Sequence, residues 1–137
     1  MNVRVVREGA ALPRRASQGA AGHDLFAAED VLLPARGRVL VPTGIAIGLP
    51  PHCEVQVRPR SGLALHEGVE AHFGTIDADY RGEILVLLFS LREDDYLVHR
   101  GERIAQLVVQ PTLEAVFVEG ELDATDRGEG GFGHTGR

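Results

Sequence analysis

Lysine is absent from the sequence, and all fourteen basic residues are arginines. This excludes every mechanism that needs a side-chain amine, including a phosphate-loop lysine or a Schiff base to a carbonyl or pyridoxal cofactor. Arginine still presents a fixed fork of donors that matches phosphate oxygens, so phosphate chemistry stays open by that route. Cysteine occurs once, at Cys53. That rules out internal disulfides and thiolate metal clusters and fits a reducing compartment. The longest apolar run, Ile84 to Phe89, is far too short to cross a bilayer. The first residues, MNVRVVREGAALPRR, carry charge where a secretory signal needs its apolar stretch, so cytoplasmic residence is expected. The six histidines lack metal-ligand spacing: His66, Glu67 and His72 miss the i, i+4 pair of zinc proteases. A formal net charge of −6 disfavours a general nucleic-acid or anionic-membrane binder, while a small anion held by a few local arginines is allowed.

The chain has 137 residues, enough for one core but not for two full domains. Period-two alternation marks half-buried strands at Val3 to Val5, Ile45 to Ile47 and Cys53 to Val57. Further strands are expected at Val31 to Leu33, Arg38 to Val41, Ile84 to Leu91, Tyr96 to His99, Ile104 to Val109 and Ala115 to Val118. Breakers such as Pro34, Gly37, Gly44, Pro50, Gly101 and Pro111 separate them, and only Ser61 to His66 suits a short helix. Many short strands without crossover helices predict an all-β sandwich, jelly roll or barrel.

The last eleven residues, RGEGGFGHTGR, contain five glycines. Such a stretch cannot bury enough surface to order itself, so it reads either as a frayed end or as a flexible lid. Charge separates it as well. Twelve arginines stand against nineteen acids before position 127, and two against one from that position on.

Two segments carry chemistry in their composition. Arg58-Pro59-Arg60-Ser61-Gly62 joins a strand end to the start of the short helix, where guanidinium, hydroxyl and backbone donors suit an anion. Gly74 to Gly82 brackets Asp77, Asp79 and Tyr80, placing a carboxylate that can accept a proton from water beside a ring that can wall a small pocket. Each alone reads more readily as an ordinary turn. Ala21-Gly22-His23-Asp24-Leu25 and Arg103-Ile104-Ala105-Gln106-Leu107 are weaker still in isolation.

Taken in order, AGHDL at 21–25, PRSGLA at 59–64, GTIDADYRGEI at 74–84, RIAQL at 103–107 and the terminal RGEGGFGHTGR resemble the five motifs of the homotrimeric dUTPases. The match spans nearly the whole chain. The resemblance implies a jelly-roll-like, distorted β-barrel or sandwich subunit over residues 1–126, with residues 127–137 as a flexible arm that closes over the active site. It implies hydrolysis of dUTP to dUMP and pyrophosphate, with Mg²⁺ held through the triphosphate and waters rather than by protein ligands. Asp77 then resembles the carboxylate that activates water, Tyr80 the ring beneath the deoxyribose, and the backbone of Gly74, Thr75 and Ile76 the hairpin that reads uracil. Arg60, Ser61 and Gly62 match a phosphate motif contributed by a neighbouring subunit, Gln106 a further phosphate-side contact, and Asp24 an acid of the solvent network around the metal. Arg127, Phe132 and Thr135 resemble the covering arm.

Two positions depart from the family. Ala71, His72 and Phe73 stand where an asparagine is frequent, and His134 stands where the arm usually has serine. The sister dCTP deaminases place a glutamate on the strand after the hairpin, and the corresponding position here is Leu87, which cannot transfer a proton. A non-catalytic trimeric β-domain is the other alternative, and it predicts indifference to loss of residues 127–137.

Overall fold

In the computed structural model, residues 1–131 are described. Their regular structure is eleven strands and one short helix: β1 (Asn2–Val5), β2 (His23–Phe26), β3 (Val31–Leu33), β4 (Arg38–Pro42), β5 (Ile45–Gly48), β6 (Cys53–Arg58), α1 (Ser61–Glu67), β7 (Val69–Ala71), β8 (Gly74–Ile76), β9 (Leu85–Ser90), β10 (Tyr96–Val98) and β11 (Arg103–Pro111). A four-stranded sheet, β2-β11-β6-β8, and a three-stranded sheet, β4-β9-β7, are joined by the small pairs β1-β5 and β10-β3, all antiparallel. This is the expected all-β, jelly-roll-like architecture, realised as a sandwich of short sheets rather than a closed barrel. Among the described residues no helix is long and apolar enough to cross a membrane.

The core follows the period-two pattern. Val55 and Val57 from β6, Val86 and Leu88 from β9, and Val41, Leu33 and Val98 from their strands are all buried and packed in one cluster. Each such aliphatic side chain contributes about 1.5–3 kcal/mol by leaving water. The strands of the central sheet therefore have fixed faces, and their ends have fixed positions.

Three strands carry no clear sequence signal. β2, β7 and β8 are short and interrupted by polar or glycine residues, and tertiary pairing overrides local propensity in each. Gly74 begins β8 because Val57 of β6 lies opposite and supplies the ladder. One expectation fails outright. Ala115 to Val118 is not a strand, and no regular element follows Pro111 among the described residues. The physical reason is the lack of a partner within the chain: Val116 and Phe117 extend into solvent, and an unpaired extended segment has no ladder to join.

The helix α1 has seven residues and buries only Leu63, too little to persist alone. Its C-terminus is closed by Gly68 at φ 62°, whose N–H donates to Ala64 O at 3.1 Å. Arg92 Nη1 adds a donor to Glu67 O at 3.3 Å. Together they hold Arg60, Ser61 and Gly62 at the end of β6.

Candidate active site

A cavity of about 220 Å³ is lined by Val57, Gly74, Asp77, Tyr80, Glu83 and Ile84, among others. That lies below the ~300–1,000 Å³ of a complete small-molecule site. Its floor is β8, which pairs with β6 on one side only and forms the edge of its sheet. The free edge presents main-chain N–H and C=O groups that another flat, hydrogen-bonding group can meet.

The turn after β8 is braced from several directions. Tyr80 N–H donates to Asp77 O at 3.1 Å, and Tyr80 Oη donates to Glu83 O at 2.9 Å. Arg81 Nη1 donates to Ala78 O and Tyr80 O at 2.7 and 2.8 Å, while Arg4 Nη2 donates to Arg81 O at 3.1 Å. Glu83 accepts from Arg7 Nε at 2.7 Å and from Gly44 N–H at 2.9 Å. The Arg7 guanidinium, helped by the Gly44 N–H and opposed by burial, holds the Glu83 carboxyl below its ordinary value. Buried Thr43 ties the strands beneath, its Oγ1 donating to Ile84 O at 2.7 Å.

Gly82 is required by the ring it faces. A Cβ there would lie 2.4 Å from Tyr80 Oη and 2.6 Å from Cζ, so only glycine lets the ring lie across the chain. Tyr80 stays 44% exposed and Asp77 is exposed, which leaves ring and carboxylate available to a ligand.

A second group lies on β2, β11 and the β6–α1 junction. Asp24 sits opposite Gln106 in the ladder, and Gln106 opposite Arg58. Asp24, only 14% exposed, is met at Oδ1 by Arg60 Nε at 3.3 Å and at Oδ2 by Arg103 Nη1 at 3.4 Å. Arg60 Nη1 also donates to Arg103 O at 2.8 Å, and Gln106 Nε2 to Pro59 O at 3.0 Å. Gly22 makes room for this, because a Cβ at that position would lie 2.1 Å from Gln106 Oε1. Ser61 and Gly62 begin α1 beside this group, Ser61 exposed and Gly62 open to solvent.

The structure thus brings Gly74, Thr75, Ile76, Asp77 and Tyr80 to one cavity and gathers Asp24, Arg60 and Gln106 with Ser61 and Gly62 nearby. It does not merge the two groups: the cavity containing Asp77 and the one beside Asp24 share no lining residue. Arg127 is brought to neither, donating to Gly130 O at 2.8 Å in its own turn. Phe132, His134 and Thr135 lie outside the described residues. Leu87 pairs with Leu40 in the middle of β9, with no acid at that position.

Sequence reasoning missed Glu83, Arg7, Arg103 and Gly82 as supporting residues. Arg7 and Glu83 are 76 positions apart, and nothing in either neighbourhood announces the pair. Gly82 could have been found, since a glycine two positions after an aromatic in a tight turn signals a close approach.

The dUTPase family model matches residues 8–136. The chain is 53% identical over 138 residues to deoxyuridine 5′-triphosphate nucleotidohydrolase of Hydrogenobaculum sp. (strain Y04AAS1), covering 98% of this chain and 96% of that one. It is 48% identical over 138 residues to the protein of the same name from Oryza sativa subsp. japonica, covering 99% of this chain and 80% of the relative. Among solved structures, the dUTPase of Staphylococcus bacteriophage 80alpha with dUPNHPP superposes with a TM-score of 0.90 at 27% identity, covering 99% of this chain and 98% of that one. A mutant dUTPase from phage phi11 of S. aureus, described with a structural Mg(II) ion, matches in fold with a TM-score of 0.83 at 24% identity, covering 88% of this chain and 96% of that one.

Proposed function

From the premise that the chain belongs to the dUTPase family and hydrolyses dUTP, we propose that Asp77 activates the attacking water and that the α-phosphorus is the centre attacked. Asp77 accepts a proton as the water oxygen bonds to the α-phosphorus. The bond from that phosphorus to the bridging oxygen breaks, and pyrophosphate leaves with the electron pair, giving dUMP. The observation that carries this reading is the exposed Asp77 carboxylate at the end of an edge strand whose free backbone can read a base, with Tyr80 beside it.

The residue roles follow from chemistry and placement. Gly74, Thr75 and Ile76 offer main-chain groups to the uracil edge, and Tyr80 lies against the deoxyribose. Arg60, Ser61, Gly62 and Gln106 face phosphate oxygens, with guanidinium and amide donors offsetting charge that develops on oxygen. Asp24, already shared between Arg60 and Arg103, orders them and nearby water. Arg127, with Phe132 and Thr135, forms an arm over residues 127–137 that covers the nucleotide and excludes water from a body spanning residues 1–126.

Among the described residues no group of three or more His, Cys, Asp or Glu could cage a metal ion. On the proposed reading Mg²⁺ is carried by the triphosphate oxygens and waters, the ion's usual habit. When bound, Mg²⁺ supplies further neutralisation of phosphate charge.

The same reading includes a cytoplasmic homotrimer with sites shared between subunits. Two features support the trimer: the Asp77 and Asp24 groups line separate cavities, and Leu113, Phe117 and Leu122 are 95%, 97% and 96% exposed. Apolar side chains laid out this way belong against another surface. Light scattering on the eluting protein should give three times the chain mass, and replacing both Leu113 and Phe117 by Asp should lower it. The catalytic reading is tested by pyrophosphate release from dUTP, dTTP, dCTP and UTP, before and after Asp77→Asn. Only dUTP should turn over, and the variant should lose about 10²–10⁴-fold of that turnover. Ammonia from dCTP would overturn it.

A further inference from the structure

We propose that the cavity lined by Arg14, Arg15, Ala16, Asp24 and Arg103 is a pyrophosphate subsite, with Arg14 and Arg15 as its unassigned ligand-binding groups. The cavity measures about 390 Å³, and its residues are brought together by backbone pairing rather than by chance on the surface. Arg14 forms an isolated bridge with Asp24, whose N–H donates to Arg14 O at 2.8 Å. The two arginines before β2 are thereby fixed beside the acid that Arg60 and Arg103 already share.

Charge makes the argument. Both Asp24 oxygens are taken, by Arg60 at 3.3 Å and by Arg103 at 3.4 Å. Neither Arg14 nor Arg15 meets a carboxylate among the described residues. Three arginines and one carboxylate therefore line the cavity, and that carboxylate is already shared between Arg103 and Arg60, in a chain whose formal net charge is −6. Such a concentration of like charge is relieved by a compact polyanion, and guanidinium forks match its oxygens. Arg14 is pre-ordered: its Cζ lies 5.1 Å from the centre of the Phe26 ring, which holds the plane of the group and leaves its edges free to donate. Arg15 uses one donor, Nη1 to Gln18 O at 3.0 Å, and keeps the rest.

Position selects the anion. Asp24 lies opposite Gln106, so the cavity continues directly from the residues placed on the phosphate side of the nucleotide. A leaving pyrophosphate stepping away from them meets Arg14 and Arg15 next. The direction of use rests on the hydrolytic reading above, whereas the binding of pyrophosphate does not.

Titration calorimetry of inorganic pyrophosphate into the full-length protein tests this directly. The double variant Arg14→Gln, Arg15→Gln should bind about fivefold or more weakly, and Arg15→Gln alone should show part of the loss. Arg38→Gln, which removes a charge from the other sheet, should change affinity less than about twofold. Inhibition of dUTP turnover by deoxyuridine, which carries no phosphate, should be the same in the double variant as in the unaltered chain. Both arginines are exposed and Arg15 holds only a loop carbonyl, so circular dichroism should report an intact fold. Undiminished pyrophosphate affinity in the double variant, or no pyrophosphate binding by the unaltered chain, overturns the proposal. Pyrophosphate binding that depends on Arg14 and Arg15 without any release of pyrophosphate from dUTP would instead overturn the hydrolytic reading and leave the subsite standing.

Discussion

The Asp77 cavity and the Asp24 cavity are built on contrasting principles. Around Asp77 the turn is held chiefly by hydrogen bonds onto main-chain carbonyls, from the Tyr80 N–H and hydroxyl and the Arg4 and Arg81 side chains, with the Arg7–Glu83 pair bracing it from behind. Around Asp24 the holding forces are guanidinium–carboxylate contacts of 3.3 and 3.4 Å near the surface. Backbone and shape are suited to reading a neutral base, because they discriminate by fit and are indifferent to salt. Clustered charge is suited to phosphate, because it acts at longer range and tolerates a mobile ligand. The contrast teaches that, on the proposed reading, one short chain would divide recognition by physical mechanism, with main-chain groups and shape on one side and clustered guanidiniums on the other.

Five changes break or sharpen that contrast. The largest effect belongs to Asp77→Asn, which removes the carboxylate proposed as the base while leaving an exposed turn unstrained. Pyrophosphate release should fall by about 10²–10⁴-fold with an unchanged melting temperature. Next comes truncation after Asp126, for which steady-state kinetics should show a loss on the order of 100-fold while the melting curve stays put. Retained turnover would favour a spare terminus instead.

Gly82→Ala strikes the shape-based side alone. The added methyl meets Tyr80 Oη and Cζ, so denaturant unfolding should show a loss of about 1–3 kcal/mol, and the KM for dUTP should rise. Gly22→Ala is the matching probe on the other side. The atom it meets, Gln106 Oε1, ends a flexible side chain that can swing away, so the stability loss should be under about 1 kcal/mol.

The smallest effect is a pH dependence. Arg7 holds the Glu83 carboxyl below its ordinary value, so the folded chain binds a proton there less readily than the unfolded chain does. That contribution is present above the ordinary carboxylate range and is lost as pH falls through the lowered value. In Glu83→Gln it vanishes, so the stability gap between parent and variant should narrow from about pH 7 to pH 3, as read by urea midpoints.

How far these features could be read from the sequence depended on whether they were local. The strands from Val31 to Leu33 and Cys53 to Arg58 announce themselves by alternation and composition, and both occur in the structure. The Asp77–Tyr80 turn and the Arg60-Ser61-Gly62 junction are contiguous motifs and were visible as candidates. β8 was not, since a strand beginning at Gly74 exists only because Val57 lies opposite. The Arg7–Glu83 brace and the Asp24–Arg103 contact join residues 76 and 79 positions apart, and no periodicity encodes such pairings. Ala115 to Val118 misled for the converse reason: it has strand-like composition and lacks a partner within its own chain.

Tyr80 and Tyr96 are the only tyrosines in a chain without tryptophan. The Tyr96 hydroxyl is committed to the Glu102 carboxylate, an arrangement that quenches phenol emission. Tyr80 instead donates to a neutral main-chain carbonyl and stays 44% exposed, so the ligand-sensitive part of the intrinsic ultraviolet fluorescence should come from Tyr80. The ring beside Asp77 can report ligand arrival by itself, with no dye attached.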